Sequence, residues 1–269
     1  MLKYLENLIA AQSVDDLWAT HLSAMSAYGF DRLVYGFTRF RGEHNFGRLE
    51  DMLILTNHSN DYIEGFIGKR MFERGPMTRW AAQNAGACLW SWIADQERDG
   101  KLTQAEIEVV DFNLKHGIRA GLSMSFPDAS VRSSGAIGLC AEDRLRQHDV
   151  DEIWAEKGRE IFVLNSLFHL RVTVMPFATS RRPLTARQRE VLEWVGEGKT
   201  TASIAAIMGL TPATVEKHLR LAREALDVDT TAQAVLKASM QKQIFLCADQ
   251  VDADPAIANL TGSKFSATH

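Results

Sequence analysis

Cysteine and long hydrophobic runs are both scarce in this 269-residue sequence. Its cysteines, Cys88, Cys140 and Cys247, are far apart and form no C-x-x-C pair, so we expect neither a disulfide framework nor a zinc site. No apolar run approaches the roughly 18 residues of a membrane span. Glu6 falls inside the N-terminal stretch, where a secretory signal would be apolar. We therefore expect a cytoplasmic protein with no membrane partner.

Catalytic motifs are also missing. The sequence contains no nucleophile elbow, no phosphate-binding glycine loop, no H-E-x-x-H pair and no paired carboxylates in a suitable frame. Its 8 histidines are scattered, and each is best explained as a surface residue or as a core residue with a hydrogen-bond partner. The sequence therefore predicts no catalytic residue, no metal site, no cofactor and no enzyme activity.

The net charge of −4 is unevenly distributed. Residues 1–175 carry 19 Lys and Arg against 24 Asp and Glu, residues 176–246 carry 10 against 7, and residues 247–269 carry 1 against 3. A basic excess confined to one segment is typical of contact with nucleic-acid phosphates. Because the excess is modest, we expect one protomer to bind double-stranded DNA weakly and a homodimer to be required.

Helix-start signals follow one another closely in residues 184–246. Thr185 and Gln188 have the spacing of a capping box, and Thr211-Pro212 places a capping hydroxyl before a proline at the first helical position. Between them a short apolar helix ends at Gly209. Helix, glycine turn and second helix form a helix-turn-helix unit, whose second helix enters the DNA major groove.

The helix after Thr211 has two faces. Apolar residues at three- and four-residue steps predict its buried stripe: Val215, Leu219, Ala222 and Leu226. On the other face, Arg and Lys suit guanine or phosphate, and a glutamate accepts from the cytosine amino group. Hydroxyls at helix N-termini suit phosphate. The predicted DNA-binding residues are therefore Thr200, Thr201, Thr214, Glu216, Lys217, Arg220 and Arg223.

Two plainer interpretations apply to single residues of this helix. Any one charged side chain could simply belong to a solvated face of a helical bundle. His218 lies near the buried edge, so we expect it to be structural and not to contact a base. DNA binding is predicted from the combined pattern of caps, turn and faces.

Residues 184–246 resemble the LuxR-type four-helix DNA-binding domain over essentially their whole length. The resemblance is carried by Leu184-Thr185-x-Arg187-x-Arg189-Glu190-Val191-Leu192, Gly198-Lys199-Thr200, Ile204-Ala205, Leu210-Thr211, Thr214-Val215, His218-Leu219 and Gln233-Ala234-Val235. It implies an all-α domain in which Glu216, Lys217 and Arg220 face the DNA. Leu221 and Thr231 depart from the family, which often has Asn and Arg there, so a polar contact of the family is missing.

The first 175 residues mix helical and strand-like patterns. Strands are predicted at Leu33–Phe40, Met52–Thr56, Ile118–Phe126 and Ser134–Ala141, with a strand or loop at Gly86–Trp92. Helical spacing predicts a helix near the N-terminus, a second helix after Ser13 and a third that follows the turn at Asn57–Asp61 and ends at about Arg70. Further helices are predicted from Gly75 to Asn84, from Ala105 to Lys115 and from His148 to Val172. Polar residues follow Trp92 as far as Lys101, and a turn at Pro127-Asp128 joins the last two strands.

Strands in a run, flanked by helices at each end, predict an α+β domain. We expect one antiparallel sheet covered on both faces, an α/β/α sandwich. The predicted organisation is a regulatory domain at 1–175, a linker at 176–183, a helix-turn-helix domain at 184–246 and an extension at 247–269.

Residues 1–175 resemble, more diffusely, the autoinducer-binding domain of LuxR-type quorum-sensing regulators. The anchors are Thr56-Asn57-His58, Tyr62, Phe66, Phe72, Gly75-Pro76, Leu89-Trp90-Ser91 and Gly117-Ile118-Arg119-Ala120-Gly121 through Pro127. In that family the amide N–H of an acyl-homoserine lactone donates to an Asp, its ring carbonyl accepts from a Trp, and its acyl carbonyl often accepts from a Tyr and a Ser or Thr. The resemblance implies a ligand site at His58, Tyr62, Phe66, Gly75, Trp90 and Gly138.

Departures from the family fall on the polar positions of that site. Gly75 stands at the Asp position, Phe66 at the Tyr position, Tyr62 at the first Trp position and Gly138 near a strand position that often carries Ser or Thr; Trp90 is retained. An unmatched buried N–H costs about 1–3 kcal/mol, roughly five- to 150-fold in affinity. We therefore expect an ordinary acyl-homoserine lactone to bind poorly. Two interpretations remain: a cavity for another small apolar signal, lined by aromatic residues, or a plain aromatic core.

The predicted mechanism is that of an atypical LuxR-type regulator. The helix from His148 to Val172 joins two protomers, whose recognition helices lie about 34–36 Å apart in successive major grooves. A response regulator is the first alternative, but its phosphoacceptor Asp must end a strand, and Asp51 precedes its apolar run. The second is an inactive partner that sequesters another LuxR-type regulator in a heterodimer.

Overall fold

The computed structural model describes residues 2–41, 47–126, 128, 130, 132–175 and 183–245. Pro127 of the predicted turn, residues 176–182 of the predicted linker and the predicted extension at 247–269 lie outside the described residues. The chain divides into two units, Met1–Thr173 and Val174–His269. Within the described residues, no helix is long and apolar enough to cross a membrane.

A five-stranded antiparallel sheet with the order β2-β1-β5-β4-β3 forms the centre of the first unit. The strands are β1 Phe30–Thr38, β2 Met52–Thr56, β3 Gly86–Leu89, β4 Gly121–Phe126 and β5 Ser134–Ala141. The helices are α1 Leu2–Ala10, α2 Val14–Ser26, α3 Asn60–Ile63, α4 Pro76–Gln83, α5 Ser91–Arg98, α6 Gln104–Lys115 and α7 Gln147–Val174. The predicted α+β class with an antiparallel sheet is confirmed.

Helix caps account for two of these helices. The Ser13 hydroxyl accepts from the backbone N–H of Asp16, whose carboxylate accepts from Ser13 N–H in return, and this capping box starts α2. Thr103 and Glu106 start α6 in the same way. Each pair satisfies backbone donors that have no partner within the helix. The sequence predicted a helix after Ser13 and one from Ala105, one residue beyond the observed start of α6.

Three local predictions were wrong. Strand β1 begins at Phe30 and ends at Thr38, earlier at both ends than expected. Helix α5 begins at Ser91, inside the stretch predicted as a strand or loop at Gly86–Trp92, and the side chain of the N-cap residue Trp90 does not cap it. The helix expected to reach Arg70 is regular only over α3 and continues as a π-helical turn at Glu64–Gly68.

One face of the sheet packs against α7. On β1 the alternating residues Leu33, Tyr35 and Phe37 are fully buried, and the Tyr35 ring meets Phe168 edge-on at 5.2 Å between centroids. The Tyr35 hydroxyl also lies 2.8 Å from Nδ1 of His169. The core of the first unit is therefore aromatic, with polar atoms paired inside it.

Two buried histidines belong to this core. His21 Nε2 lies 3.0 Å from Oδ1 of Asn165, and the Tyr4 hydroxyl lies 2.8 Å from its Nδ1. Burial lowers the pKa of His21 to about 3 and that of His169 to about 4. Both imidazoles are therefore neutral at pH 7 and act as hydrogen-bonding core residues.

We expect the first unit to lose stability as the pH falls from about 6.5 towards 5. The folded pKa values of His21 and His169 lie below the ordinary value of 6.5, so the unfolded chain takes up protons that the folded unit does not. The free energy of unfolding should fall by about 1 kcal/mol per pH unit for each such histidine. Urea unfolding at pH 7, 6 and 5 measures this slope.

The exposed His148, 68% accessible at its side chain, provides the control. His148→Gln should leave the pH slope unchanged, whereas His169→Gln should reduce it. Equal slopes in the wild type and the His169→Gln variant would contradict the expectation.

The second unit contains helices α8 Ala186–Gly196, α9 Thr201–Met208, α10 Pro212–Leu226 and α11 Thr231–Met240. Each begins after a threonine whose hydroxyl accepts a backbone N–H, and these caps are Thr185, Thr200, Thr211 and Thr230. Helix α9 ends at Gly209, whose φ of 64° lies in the left-handed region. The predicted buried stripe of α10 is confirmed: Val215, Leu219, Ala222 and Leu226. This is the predicted helix-turn-helix geometry.

Candidate ligand cavity and nucleic-acid interface

A cavity of about 330 Å³ lies on the face of the sheet opposite α7. Successive side chains on a strand point to opposite faces, so Gly36, Ala136 and Gly138 face the cavity while Tyr35 and Ile137 carry their side chains into the core. Because these residues have small side chains or none, the space above the sheet stays unfilled. Its walls come from α3 and the π-helical turn, α4, α5 and α6.

All of the ligand-site residues predicted from the sequence line this one cavity: His58, Tyr62, Phe66, Gly75, Trp90 and Gly138. Their roles towards a ligand remain predictions. Sequence reasoning missed Asn113 on α6 and Ser123 on β4, which also line it. Ser123 alternates with Gly121 along β4, and that two-residue period was the available signal.

Four polar side chains of the cavity form two hydrogen-bonded pairs. Trp90 Nε1 donates to Oγ of Ser123 at 3.0 Å, and the Tyr62 hydroxyl donates to Oδ1 of Asn113 at 3.1 Å. The Trp that the family resemblance assigned to a ligand carbonyl therefore already has an acceptor in the protein. A ligand must take up positions around these pairs or replace one of them.

Aromatic rings form one wall of the cavity. Tyr62 stacks on Phe66 at 5.0 Å and on Phe112 at 5.6 Å between ring centroids, and His58 lies 4.5 Å from Tyr62. Burial lowers the pKa of His58 to about 4, and the nearby Arg32 contributes to the shift. Burial also raises the pKa of the Tyr62 hydroxyl. At pH 7 this wall is neutral.

Gly75 occupies the N-cap of α4 with an ordinary extended backbone, φ −74° and ψ 144°. Its conformation does not require glycine, because any residue adopts these angles. An added Cβ would lie 3.3 Å from the Phe72 carbonyl oxygen. Among the described residues that line the cavity, the carboxylates are limited to Glu97, which is exposed on α5.

The outer face of α10 carries the predicted base-reading residues. Glu216, Lys217 and Arg220 are exposed, and His218 is half-buried, as expected for a structural role. Thr201 Oγ1, at the start of α9, donates to Oε1 of Glu216 at 2.9 Å. The carboxylate that could read a cytosine is thus held by the preceding helix of the motif.

Other predicted contacts have partners within the unit. Arg220 forms an exposed ion pair with Glu224 at 2.5 Å. Arg223 Nη1 donates to Oγ1 of Thr231 at 2.9 Å. Thr231, which departs from the residue that the family often has, therefore binds a neighbouring helix. The hydroxyls of Thr200 and Thr214 are engaged in the caps of α9 and α10. Their contacts with phosphate remain predictions.

We expect Thr201→Val to relax base discrimination more than it reduces affinity. The substitution keeps the shape of the side chain but removes the hydroxyl that orients Glu216, a bond worth about 0.5–1.5 kcal/mol. Selection from a randomised half-site should show reduced preference at one base pair. Thr201→Ser retains the hydroxyl and should retain the preference; an unchanged preference in Thr201→Val would contradict this role.

Comparison with known proteins gives a family match for each of the two parts of the chain. Residues 13–172 match the family described as "Autoinducer binding domain", and residues 182–238 match "Bacterial regulatory proteins, luxR family". Within the described residues, no cluster of His, Cys, Asp and Glu could hold a metal ion.

Named relatives cover most of the chain. The transcriptional activator protein AnoR of Acinetobacter nosocomialis is 25% identical over 238 residues, 88% of this chain and 95% of AnoR. The quorum sensing-dependent transcriptional regulator RpaR of Rhodopseudomonas palustris is 24% identical over 71% of this chain and 74% of RpaR. The N-acylhomoserine lactone dependent factor CepR2 of Burkholderia cenocepacia shares the fold, with a TM-score of 0.50 and 19% identity over 63% of this chain and 92% of CepR2. The chain therefore belongs to the luxR family of bacterial transcriptional regulators, with an autoinducer-binding domain followed by a helix-turn-helix domain.

Proposed function

We propose that this protein is a dimeric, sequence-specific DNA-binding regulator that works in the cytoplasm, where the DNA is, and has no catalytic role. The observation that carries the proposal is the exposed face of Glu216, Lys217 and Arg220 on the second helix of a capped helix-turn-helix. This face offers two cations and one oriented carboxylate to the major groove.

We propose further that the cavity binds a small apolar molecule other than a standard acyl-homoserine lactone. CepR2 is named as dependent on such a lactone, but here Gly75 stands where the family resemblance places the carboxylate that accepts the lactone amide. Mostly apolar walls and few polar groups are typical of a small-molecule site. Ligand binding would stabilise the folded dimer by mass action.

The proposed dimer surface is the outer side of α7. Val163 is 40% and Leu170 59% exposed, and the half-buried Leu167 lies between them. Their i, i+4, i+7 spacing is that of a helix–helix seam. Because an apolar stripe of this kind is costly to leave in water, self-association through it is favourable.

Binding to a random DNA library tests the proposal directly. The purified full chain should select a pseudo-palindrome whose half-sites are about one helical turn apart. Native mass spectrometry, with and without bacterial extract, should detect a small molecule on the protein. Failure to select any DNA would refute the proposal; DNA retention only after addition of another LuxR-type regulator would instead indicate a heterodimer partner.

A further inference from the structure

We infer that the cavity selects a neutral ligand whose polar end contains only oxygen, an acyl ester or ketone, over an acyl amide. This inference rests on the proposed function of the cavity and names the chemical class of its occupant. The argument comes from the hydrogen-bond donors and acceptors that the described residues place around the cavity.

Acceptors for a ligand N–H are scarce there. The Gly75 side chain offers none, and Glu97 is exposed at the rim. Oδ1 of Asn113 already accepts from Tyr62, and Oγ of Ser123 already accepts from Trp90. An amide N–H that enters the cavity would have to share one of these oxygens, use the Thr78 hydroxyl or the single acceptor nitrogen of a neutral His58, or remain unpaired, and a buried unpaired N–H is costly.

Some hydrogen-bond donors of the cavity have no acceptor among the residues that the structure describes. Once those two bonds are made, the Ser123 hydroxyl hydrogen and the side-chain N–H groups of Asn113 have no acceptor among the described residues. The ring of His58, 8% exposed, likewise has no hydrogen-bond partner within the described part of the chain. A neutral imidazole adds one donor and one acceptor. A carbonyl oxygen suits these donors, and the acceptor nitrogen of His58 suits a hydroxyl.

Electrostatics excludes a charged head. His58 and Tyr62 are neutral at pH 7, and Arg119, which lines the cavity, is exposed and in contact with water. A carboxylate drawn into the apolar interior would lose its hydration without gaining a buried cation. The volume of about 330 Å³ suits a small ligand with a medium-length chain.

An amide-to-ester replacement in one ligand tests this inference. The probes are N-octanoyl-homoserine lactone and its ester analogue, in which oxygen replaces the amide N–H and nothing else changes. Equilibrium dialysis of the full chain against equal concentrations of both should show the ester bound at least as tightly. In Gly75→Asp the carboxylate can accept the N–H, so the ratio should move about tenfold or more towards the amide.

Gly75→Ala is the matched control, because it adds the Cβ near Phe72 without an acceptor and should leave the ratio unchanged. A wild type that binds the amide tenfold more tightly than the ester overturns the inference. An unchanged ratio in Gly75→Asp, retention of neither probe by the wild type, or tighter retention of octanoate than of either probe also overturns it. DNA selection by the same preparations reports separately on the proposed regulator.

Discussion

Arg220→Ala is expected to weaken specific DNA binding by about 1–3 kcal/mol, roughly five- to 150-fold. The side chain is exposed on the outer face of α10, and its partner in this structure, Glu224, is exposed as well. Such a surface ion pair contributes little to stability, so Arg220 can leave Glu224 for a base or phosphate at small cost. Folding should be unaffected, and the loss should appear in DNA titrations.

The salt dependence of that loss distinguishes two roles for Arg220. If the guanidinium reads guanine, the variant should lose discrimination at one base pair, whereas a phosphate contact would give an equal loss on all sequences and a salt slope shallower by about one. Arg98→Ala is the matched control, because Arg98 forms a comparable exposed pair with Asp95 in the first unit. Equal DNA binding by Arg220→Ala and the wild type would show that the outer face of α10 is not the surface that recognises the DNA sequence.

The helix-turn-helix unit was predictable because its signals are local. A threonine cap contacts an N–H three residues away, and Gly209 adopts its left-handed turn within the same short segment. The stripe of α10 follows from a 3.6-residue period. The bond from Thr201 to Glu216 was not predictable, since it joins residues 15 positions apart through the angle between two helices.

The polar contacts of the cavity, in contrast, depend on residues that are distant along the chain. The family resemblance brought together its aromatic residues and its retained Trp90, but the polar pairs depend on the register of the sheet. Ser123 lies opposite Gly138 because β4 and β5 pair as they do, and Trp90 reaches Ser123 across the face of β4, near Gly121. Pairings this distant along the chain leave no periodic signal, so neither the internal bonds nor the surplus of donors could be predicted from the sequence.

Leu170→Glu is expected to make the protein monomeric and to reduce its affinity for a pseudo-palindromic site by about a hundred-fold or more. Leu170 is 59% exposed, so a charge there should not disturb the folded protomer. In a dimer it would bury a carboxylate against the partner's apolar stripe, which is unfavourable. Without the dimer, the second recognition helix no longer binds at high effective concentration.

Leu2→Glu is the control, because Leu2 is 76% exposed on α1 and belongs neither to α7 nor to the cavity lining. It introduces the same charge outside the stripe on α7, so it should remain dimeric by sedimentation and keep its affinity for the full site. Affinity for an isolated half-site should be the same in both variants and in the wild type. A dimeric Leu170→Glu with undiminished affinity would move the dimer surface away from α7, and the spacing of the two recognition helices would then have to come from another part of the chain.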